Sequence, residues 1–281
     1  MRKKVLLTGA TGFVGRQVFE HLIQSDIDII LVIRRGSAHQ FKPFKNVVKM
    51  IETDDLFKEG SAWWAASCCD IDLVINVAWY TEPGEYLTSD RNLDCLRGSL
   101  NLAEGCVIAG VERFVGVGSC AEYKISNEPI RHDELLEPLT LYAAAKVATL
   151  NMLEQFFMTK NISFTWCRLF YLYGEAEDER RLVPYIRSQL SLGKTADLSA
   201  GYQVRDFINV KVAGRIIADV ALSQQSGVVN VCSGRPTTVR ELAIKIAKEY
   251  GREDLLNFGA RKDNILDPPY MVGIPNWGDH E

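Results

Sequence analysis

TGATGFVG, residues 8–15, joins the run KVLL at 4–7, apolar after its lysine, to an amphipathic pattern of residues that reaches residue 24. The run predicts a buried strand and the pattern predicts a helix, so the eight residues form the turn between them. The GxxGxxG spacing permits a tight turn and lets backbone N–H groups approach a pyrophosphate at the positive end of the helix. This order of strand, glycine turn and helix predicts dinucleotide binding; the alternative is a purely structural turn. The predicted cofactor contacts in the turn are Gly9, Thr11, Gly12, Phe13, Val14 and Gly15.

Strand and helix patterns alternate outward from this turn over the first two thirds of the chain. Predicted strands follow at 29–33, 47–51, 73–77, 114–117 and 163–169, and predicted helices at 93–109 and 141–159. Such alternation predicts an α/β fold, a Rossmann-type doubly wound parallel sheet. After Gly174 the elements become shorter, and Thr238 with Glu241 predicts a capping box for a further helix. We therefore predict a dinucleotide-binding Rossmann domain at 1–174 and a smaller, partly discontinuous C-terminal substrate-binding lobe at 175–281, ending in an irregular tail after residue 266.

Composition excludes several classes of protein. The chain has 281 residues, 47% of them hydrophobic, and a net charge of −4, which is ordinary globular usage. The acidic balance predicts no nucleic-acid partner, and the lack of an apolar run of about 18 residues predicts no membrane span. Seven cysteines without CxxC spacing predict reduced thiols in a cytoplasmic protein, and four scattered histidines predict no metal site.

The tip of the second predicted strand bears on the choice of cofactor. Arg34 and Arg35 stand where an acidic residue would bind the ribose 2′-hydroxyl of NAD. An arginine there pairs instead with the 2′-phosphate of NADP, so we expect NADP, with NAD as the other candidate; the alternative is two solvated surface arginines. Asp55 and Leu56 follow the third strand and are predicted to meet the adenine, while the Asp54-Asp55 pair would also serve as a helix cap.

A candidate proton-transfer group opens the helix at 141–159. Tyr142 and Lys146, in YAAAK, have the i, i+4 spacing that puts both side chains on one helix face. A neighbouring ammonium favours the phenolate and lowers the pKa of a tyrosine, which suits it to acid–base work. Ser119 ends the fifth strand, where its hydroxyl can hydrogen-bond a substrate oxygen. Together with the glycine turn, these three residues predict a catalytic site.

Six motifs make the sequence resemble one family. They are TGATGFVG at 8–15, NVA at 76–78, VGVGSCAEY at 115–123, YAAAK at 142–146, RLFYLYG at 168–174 and QVRDF at 203–207. Over almost its whole length the chain is similar to the extended short-chain dehydrogenase/reductases, the NAD-dependent epimerase/dehydratase group. The resemblance implies that Ser119 polarises the reacting oxygen, Tyr142 is the general acid/base, and Lys146 tunes it and holds the nicotinamide ribose. It also implies that Asn76 and Ala78 line the cofactor.

The resemblance further implies a nucleoside-diphosphate-sugar substrate and a homodimer built from the helices at 93–109 and 141–159. Arg205 would contact the diphosphate; the alternative is a structural arginine paired with Asp206. Trp79 and Tyr80 follow the fourth strand and are either pocket wall or core, while Tyr86 is not expected to touch substrate. Tyr171 stands where relatives often carry a substrate-contacting asparagine. The predicted substrate contacts are Trp79, Tyr80, Ser119, Tyr171 and Arg205.

Residues 168–186 and 201–207 resemble the subgroup that reduces nucleotide-linked 4-keto-6-deoxyhexoses in deoxysugar biosynthesis. We therefore expect an NAD(P)-dependent oxidoreductase of this class. The alternatives are a nucleotide-sugar epimerase that holds NAD tightly, a non-catalytic NADP-sensing regulator, and a reductase of a non-sugar carbonyl. An epimerase consumes no net reductant, and a sensor has no need of Ser119, Tyr142 and Lys146 together.

Overall fold

The computed structural model describes residues 2–262 and 267–278. The strands are β1 (Lys3–Thr8), β2 (Ile27–Arg34), β3 (Val47–Thr53), β4 (Leu73–Asn76), β5 (Arg113–Ser119), β6 (Ser163–Leu169), β7 (Tyr171–Tyr173), β8 (Ala196–Leu198), β9 (Val204–Asn209), β10 (Gly227–Val231), β11 (Pro236–Thr238), β12 (Leu256–Phe258) and β13 (Tyr270–Met271). The α-helices are α1 (Phe13–Leu22), α2 (Ser61–Ser67), α3 (Arg91–Ala109), α4 (Leu141–Met158), α5 (Leu182–Ser191), α6 (Val210–Leu222) and α7 (Val239–Tyr250).

A seven-stranded sheet forms the centre of the molecule, in the order β3-β2-β1-β4-β5-β6-β10. All its strand pairs are parallel. The chain moves outward from β1 to β3 and then returns to place β4 on the other side of β1. The loops after β1 and β4 therefore diverge, which opens a crevice at the carboxyl ends of the strands. The predicted Rossmann-type parallel sheet is confirmed.

Apolar side chains cover both faces of this sheet. On one face α1 and α6 contribute Val18, Phe19, Ile216 and Ile217 to a buried cluster with the strands. On the other face α2, α3 and α4 contribute Trp64, Leu102, Leu153 and Phe157. Burial on both faces explains why the central strands are nearly continuous apolar runs.

A smaller lobe is built around α5 and α7. Val183, Ile186, Leu242 and Ile246 form its buried cluster. The predicted capping box at the start of α7 is present, with the Thr238 hydroxyl accepting from the Glu241 N–H at 3.0 Å. Between 175 and 281, α6 and β10 return to the central sheet, so the lobe is discontinuous in sequence. The division at residue 174 remains our proposal, as a division between cofactor-binding and substrate-binding parts and not between units that fold alone.

The tail is irregular except for β13, which pairs with β9; residues 279–281 of the predicted tail lie outside the described part. All seven cysteines are free thiols, six of them buried and Cys69 exposed. Within residues 2–262 and 267–278, no helix is both long and apolar enough to cross a membrane.

Candidate active site

A cavity of about 1260 Å³ lies across the carboxyl ends of the central strands and extends to the smaller lobe. The glycine turn lines one end of it, and Arg205 and Asp267 line the other. Most of the predicted site residues line this cavity: Gly9, Thr11, Gly12, Phe13, Val14, Gly15, Arg34, Asp55, Leu56, Ala78, Trp79, Tyr80, Ser119, Tyr142, Lys146, Tyr171 and Arg205. Arg35 and Asn76 are not among its lining residues.

The glycine turn is shaped so that a cofactor can approach the backbone. Gly9 has φ +73°, and a Cβ there would lie 2.8 Å from the backbone nitrogen of Ala78. A Cβ on Gly15 would lie 2.0 Å from the carbonyl oxygen of Gly9, so side chains are excluded at both positions. Gly12 precedes α1 without a side-chain cap, which leaves N–H groups of the first turn open at the cavity wall. This cradle fits a pyrophosphate.

Arg34 and Arg35 have different surroundings at the tip of β2. Arg34 lines the cavity. The Nε of Arg35 donates to Asp54 at 2.7 Å, and both side chains are largely exposed. Asp55 accepts from the Phe57 N–H at 3.1 Å as a helix cap and also lines the cavity, where its contact with the adenine stays a prediction.

Asn76 lies below the cavity. Its side-chain oxygen accepts from the hydroxyl of Thr8 at 2.7 Å, and that hydroxyl accepts from the Ala78 N–H at 3.3 Å. The Asn76 side chain therefore links the end of β4 to the end of β1. Of Asn76 and Ala78, only Ala78 lines the cavity.

Ser119, Tyr142 and Lys146 meet in the middle of the cavity. Thr140 caps α4 by accepting from the Ala143 N–H, and the helix then carries Tyr142 and Lys146 into the wall one turn apart. The Lys146 ammonium lies 5.9 Å from the centre of the Tyr142 ring and donates to the carbonyl of Val117 at 2.6 Å. The structure thus brings the predicted phenol, amine and hydroxyl together.

Burial dominates the ionisation of both groups on α4. It raises the pKa of Tyr142 above its usual value; the nearby Tyr86 adds to this, and a hydrogen bond with Ser119 opposes it. Burial lowers the pKa of Lys146 to about 7, against the raising effect of the Glu122 charge. The site therefore favours a protonated phenol beside a lysine whose pKa is near neutral.

Aromatic side chains form the wall beside Tyr142. The Lys146 Nζ lies 3.7 Å from the centre of the Trp79 ring. Tyr86 packs edge-on against Tyr142, with ring centres 4.9 Å apart, so the residue not expected at the site is in contact with the candidate acid. Tyr80 lines the outer wall, and its hydroxyl donates to Glu85 at 2.8 Å. The sequence signal for Tyr86 was its place in the loop after β4.

Arg205 is a buried cation at the far end of the cavity. Its side chain is 2% exposed, and its Nη2 makes no hydrogen bond with any described residue. The guanidinium lies 4.9 Å from the centre of the Tyr171 ring, and Asp267 approaches Nη2 at 3.7 Å. Asp206, the alternative partner, instead accepts hydrogen bonds from Ser233, Gly234 and Gly273. Arg205 therefore does not pair with Asp206. Its Nη1 donates to the Val204 carbonyl at 2.9 Å, which leaves Nη2 as the donor that suits an anion.

A buried carboxylate that sequence reasoning missed lies directly below Ser119. Glu122 accepts from the Ser119 N–H at 2.7 Å, from Trp166 Nε1 at 3.1 Å and from Arg168 Nε at 2.6 Å. The Glu122 and Arg168 side chains are 0% and 2% exposed. The S-x-x-E spacing of Ser119 and Glu122 is a capping-box pattern and could have been recognised.

Within the described residues, no three histidine, cysteine or carboxylate side chains come together in a way that could hold a metal ion.

The family model for the NAD dependent epimerase/dehydratase family matches residues 5–232. The chain belongs to this family. The membership predicted from the motifs is confirmed, and with it an NAD-dependent enzyme.

Three known proteins similar to this chain are named for nucleotide-sugar chemistry. A dTDP-6-deoxy-L-talose 4-dehydrogenase (NAD(+)) from Aggregatibacter actinomycetemcomitans is 21% identical over 253 residues, 88% of this chain and 90% of that protein. A UDP-N-acetylglucosamine 4-epimerase from Methanobrevibacter ruminantium, in complex with UDP-N-acetylmuramic acid, has a TM-score of 0.86 at 22% identity and covers 98% of this chain and 90% of its own. A dTDP-glucose 4,6-dehydratase from Streptomyces venezuelae with NAD bound has a TM-score of 0.83 at 20% identity, with 97% and 88% covered.

Proposed function

We propose that this protein is an oxidoreductase that reduces the keto group of a nucleotide-linked 4-keto-6-deoxyhexose. The observation that carries the proposal is the meeting of Ser119, Tyr142 and Lys146 in one cavity, with the glycine cradle at one end and Arg205 at the other. The named activity of the dTDP-6-deoxy-L-talose 4-dehydrogenase, a relative at 21% identity, supports chemistry at carbon 4 of a nucleotide-linked 6-deoxyhexose.

Tyr142 is the proton donor in this reaction. A reduced nicotinamide cofactor, when bound, supplies the hydride to the carbonyl carbon. Tyr142 donates its proton to the carbonyl oxygen as negative charge develops there, and Ser119 hydrogen-bonds the same oxygen. Burial raises the pKa of Tyr142, so the phenol holds its proton until that charge appears. Lys146 contributes a nearby donor that favours the phenolate after transfer.

Arg205 and Tyr171 bind the diphosphate and the adjoining sugar. The Nη2 of this buried guanidinium makes no hydrogen bond with a described residue, and a phosphate oxygen would supply one. The ring of Tyr171 lies against this guanidinium. It gives the sugar an aromatic surface at the position where relatives often carry an asparagine. The Asp267 carboxylate lies 3.7 Å from the same nitrogen, and the substrate phosphate would replace it there.

The preferred cofactor in the proposal is NADP, with NAD as the alternative. Arg34 is exposed at the cavity wall, and Asp54 engages Arg35 rather than Arg34. Arg34 is thus the group available to a 2′-phosphate. The Arg34→Ala variant should raise the KM for NADPH about tenfold or more and leave the KM for NADH nearly unchanged.

Thermal shift is the first test of the function, because it needs no knowledge of the substrate. NADP, NAD and the diphosphates of deoxythymidine, uridine, cytidine and guanosine are each added to the protein, and a rise in midpoint identifies the nucleotide. The matching 4-keto-6-deoxy sugar is then supplied with NADPH or NADH. Net loss of reduced nicotinamide, with formation of the 4-hydroxy sugar, supports the proposal.

Other results distinguish the remaining functions. Interconversion of epimers without net loss of reductant would identify an epimerase and overturn the reductase proposal. Binding of cofactor with no turnover of any nucleotide sugar would identify a sensor or a reductase of another carbonyl.

The proposal includes a homodimer in a cytoplasmic, reducing environment. Ile108 on α3 and Met152 on α4 are 67% and 56% exposed, and apolar side chains on these neighbouring helices support a shared interface. The seven free thiols support the reducing environment. Size-exclusion chromatography with light scattering should give twice the mass of the 31.5 kDa chain.

A further inference from the structure

The ammonium group of Lys146 has few polar partners for a buried cation. The side chain is 3% exposed, and its Nζ donates to the Val117 carbonyl at 2.6 Å. An ammonium group has three donors, so this bond alone does not satisfy it. The nearest ring is that of Trp79, whose centre lies 3.7 Å from Nζ, whereas the rings of Trp166 and Tyr142 lie at 5.7 and 5.9 Å. The indole face is therefore a main contact of the cation.

Trp79 is held firmly in this position. Its Nε1 donates to the side-chain oxygen of Asn92 at 2.9 Å. Asn92 is fully buried, and its amide nitrogen donates to the carbonyls of Tyr86 and Ser89 at 2.6 and 2.9 Å. Rotation of the indole away from Lys146 would break a buried hydrogen bond and leave the Asn92 oxygen without it, which is costly.

The charged and titratable groups around Lys146 do not replace this contact. Among the described residues, Lys146 forms no ion pair with a carboxylate. The charge of Glu122, on the turn after β5, favours the ammonium, but that carboxylate is bonded to Arg168. The thiol of Cys95, on α3, also faces Lys146 and is protonated at neutral pH because burial raises its pKa to about 11. Tyr142, on the same helix as Lys146, is likewise neutral.

We propose that Trp79 is a positioning residue for Lys146: its indole face holds the ammonium group at the cavity wall and favours its charged form. Trp79 then acts through Lys146 and is not a contact for the sugar. The inference rests on the proposed oxidoreductase function for its catalytic meaning, but the contact can be measured without substrate. A cation over the face of a tryptophan is attracted most strongly when water is excluded, as it is here.

Lysine-selective 13C labelling of the full chain provides the direct test. Ring current from the indole should shift the ε-methylene signal of Lys146 upfield, and the spectrum of Lys146→Met identifies that signal. Trp79→Leu should abolish the upfield shift and lower the pKa of Lys146 by about one unit, the size expected for a desolvated cation–π contact. Trp79→Phe should keep part of both effects, and it remains informative if the leucine variant fails to fold.

Trp63→Phe is the matched control, because Trp63 packs on Trp64 in α2 and does not line the cavity. It should leave the Lys146 signal unchanged. A Lys146 signal with the same shift and the same pKa in wild type, Trp79→Phe and Trp79→Leu would overturn the inference.

Turnover distinguishes positioning from a sugar contact. For Trp79→Leu, the limb of the kcat profile that follows Lys146 should move about one pH unit lower, with less than a threefold change in the KM for the sugar. A large rise in that KM with an unmoved pH profile would make Trp79 a substrate wall and overturn the inference. If the nuclear magnetic resonance results hold but no 4-keto sugar is reduced, the positioning of Lys146 stands and the proposed function fails.

Discussion

Burial moves the ionisation of Tyr142 and Lys146 in opposite directions. It raises the pKa of the phenol and lowers that of the amine, because both neutral forms are favoured where water is excluded. A site that handles a proton near neutral pH needs groups whose charged and neutral forms are close in free energy. Lys146 meets this condition through burial, opposed by the charge of Glu122.

Replacing Tyr142 with phenylalanine should lower kcat roughly 10²–10⁴-fold, because the proton donor is lost. The ring contacts with Tyr86 and Trp79 remain, so the thermal shift produced by NADP should be kept. Tyr250→Phe, on the outer surface of α7, is the matched control and should leave turnover unchanged. Wild-type turnover in Tyr142→Phe would remove Tyr142 from the reaction.

Replacing Lys146 with methionine should stabilise the protein, and the gain should depend on pH. The folded pKa is about 7 and the ordinary value is 10.5, so between these pH values the unfolded chain holds a proton that the folded chain lacks. The free energy of unfolding of the wild type therefore rises with pH across this window. Below pH 7 the folded protein carries the full free-energy cost of the buried charge. We expect a gain in midpoint of roughly 5–10 °C at pH 6, shrinking as the pH approaches 10.

Differential scanning fluorimetry at pH 6 and pH 9 measures this difference. The exposed Lys160, replaced by methionine, serves as the control and should show little change at either pH. An equal gain for Lys146→Met at both pH values would mean that its pKa is not lowered in the folded protein.

At the scale of elements, one buried ion pair stabilises the turn that follows β5. Glu122 joins the Ser119 backbone at the end of β5 to Arg168 in β6. Glu122→Gln removes the negative charge and leaves the Arg168 cation buried. Breaking a buried pair in this way should lower the free energy of unfolding by about 3–5 kcal/mol.

Urea denaturation measures this loss. Asp254→Asn breaks an exposed pair with Arg252, and it should cost no more than about 1 kcal/mol. Equal losses in the free energy of unfolding for the two variants would show that the buried pair stabilises the protein no more than the exposed pair does.

Elements whose signal is local could be predicted, and elements that depend on distant partners could not. The β1–turn–α1 unit is encoded by adjacent residues, and the structure places it where the sequence predicted. In contrast, α2 has only seven residues and is stabilised by burial of Trp64 against α3, which no local pattern reveals. The same holds for β13, a strand of two residues that pairs with the distant β9.

Parts of the candidate site divide in the same way. Ser119, Tyr142 and Lys146 come together because Ser119 ends β5, Tyr142 begins α4, and Lys146 lies one turn further along the same helix. Arg205 and Asp206 are adjacent in the sequence, which suggests an ion pair, but neighbouring residues in a strand point to opposite faces, so the two side chains separate. The place of Asn76 below the cavity, and of Tyr86 against Tyr142, follows from loop geometry that the sequence does not contain.

At the scale of the whole molecule, the second part of the chain completes the sheet of the first. Helix α6 packs on α1 so closely that a Cβ on Gly214 would lie 2.4 Å from the Cβ of Gln17. Strand β10 pairs with the edge of β6. Ile216, Ile217 and Val229 therefore belong to the same buried cluster as β1 and β2.

A fragment of residues 1–174 should consequently fail to fold. It would expose the apolar face beneath α6 and the edge of β6, which removes a large part of the buried surface that stabilises the sheet. Circular dichroism and proton nuclear magnetic resonance should show no cooperative transition and poor dispersion, whereas the full chain shows both. A fragment with a dispersed spectrum that binds NADP would make residues 1–174 an independent domain.

The difference in exposure among the seven thiols has a practical consequence for labelling. Burial raises the pKa of Cys120 and of Cys167 to about 12, so these groups are both shielded and protonated, while Cys69 is open to solvent. Cys69 lies between α2 and the amino end of β4, whereas the cavity lies at the carboxyl ends of the strands. A maleimide dye should therefore attach once to the folded protein and seven times after denaturation, as mass spectrometry would show. A fluorophore could thus report on subunit association without touching the reactive centre.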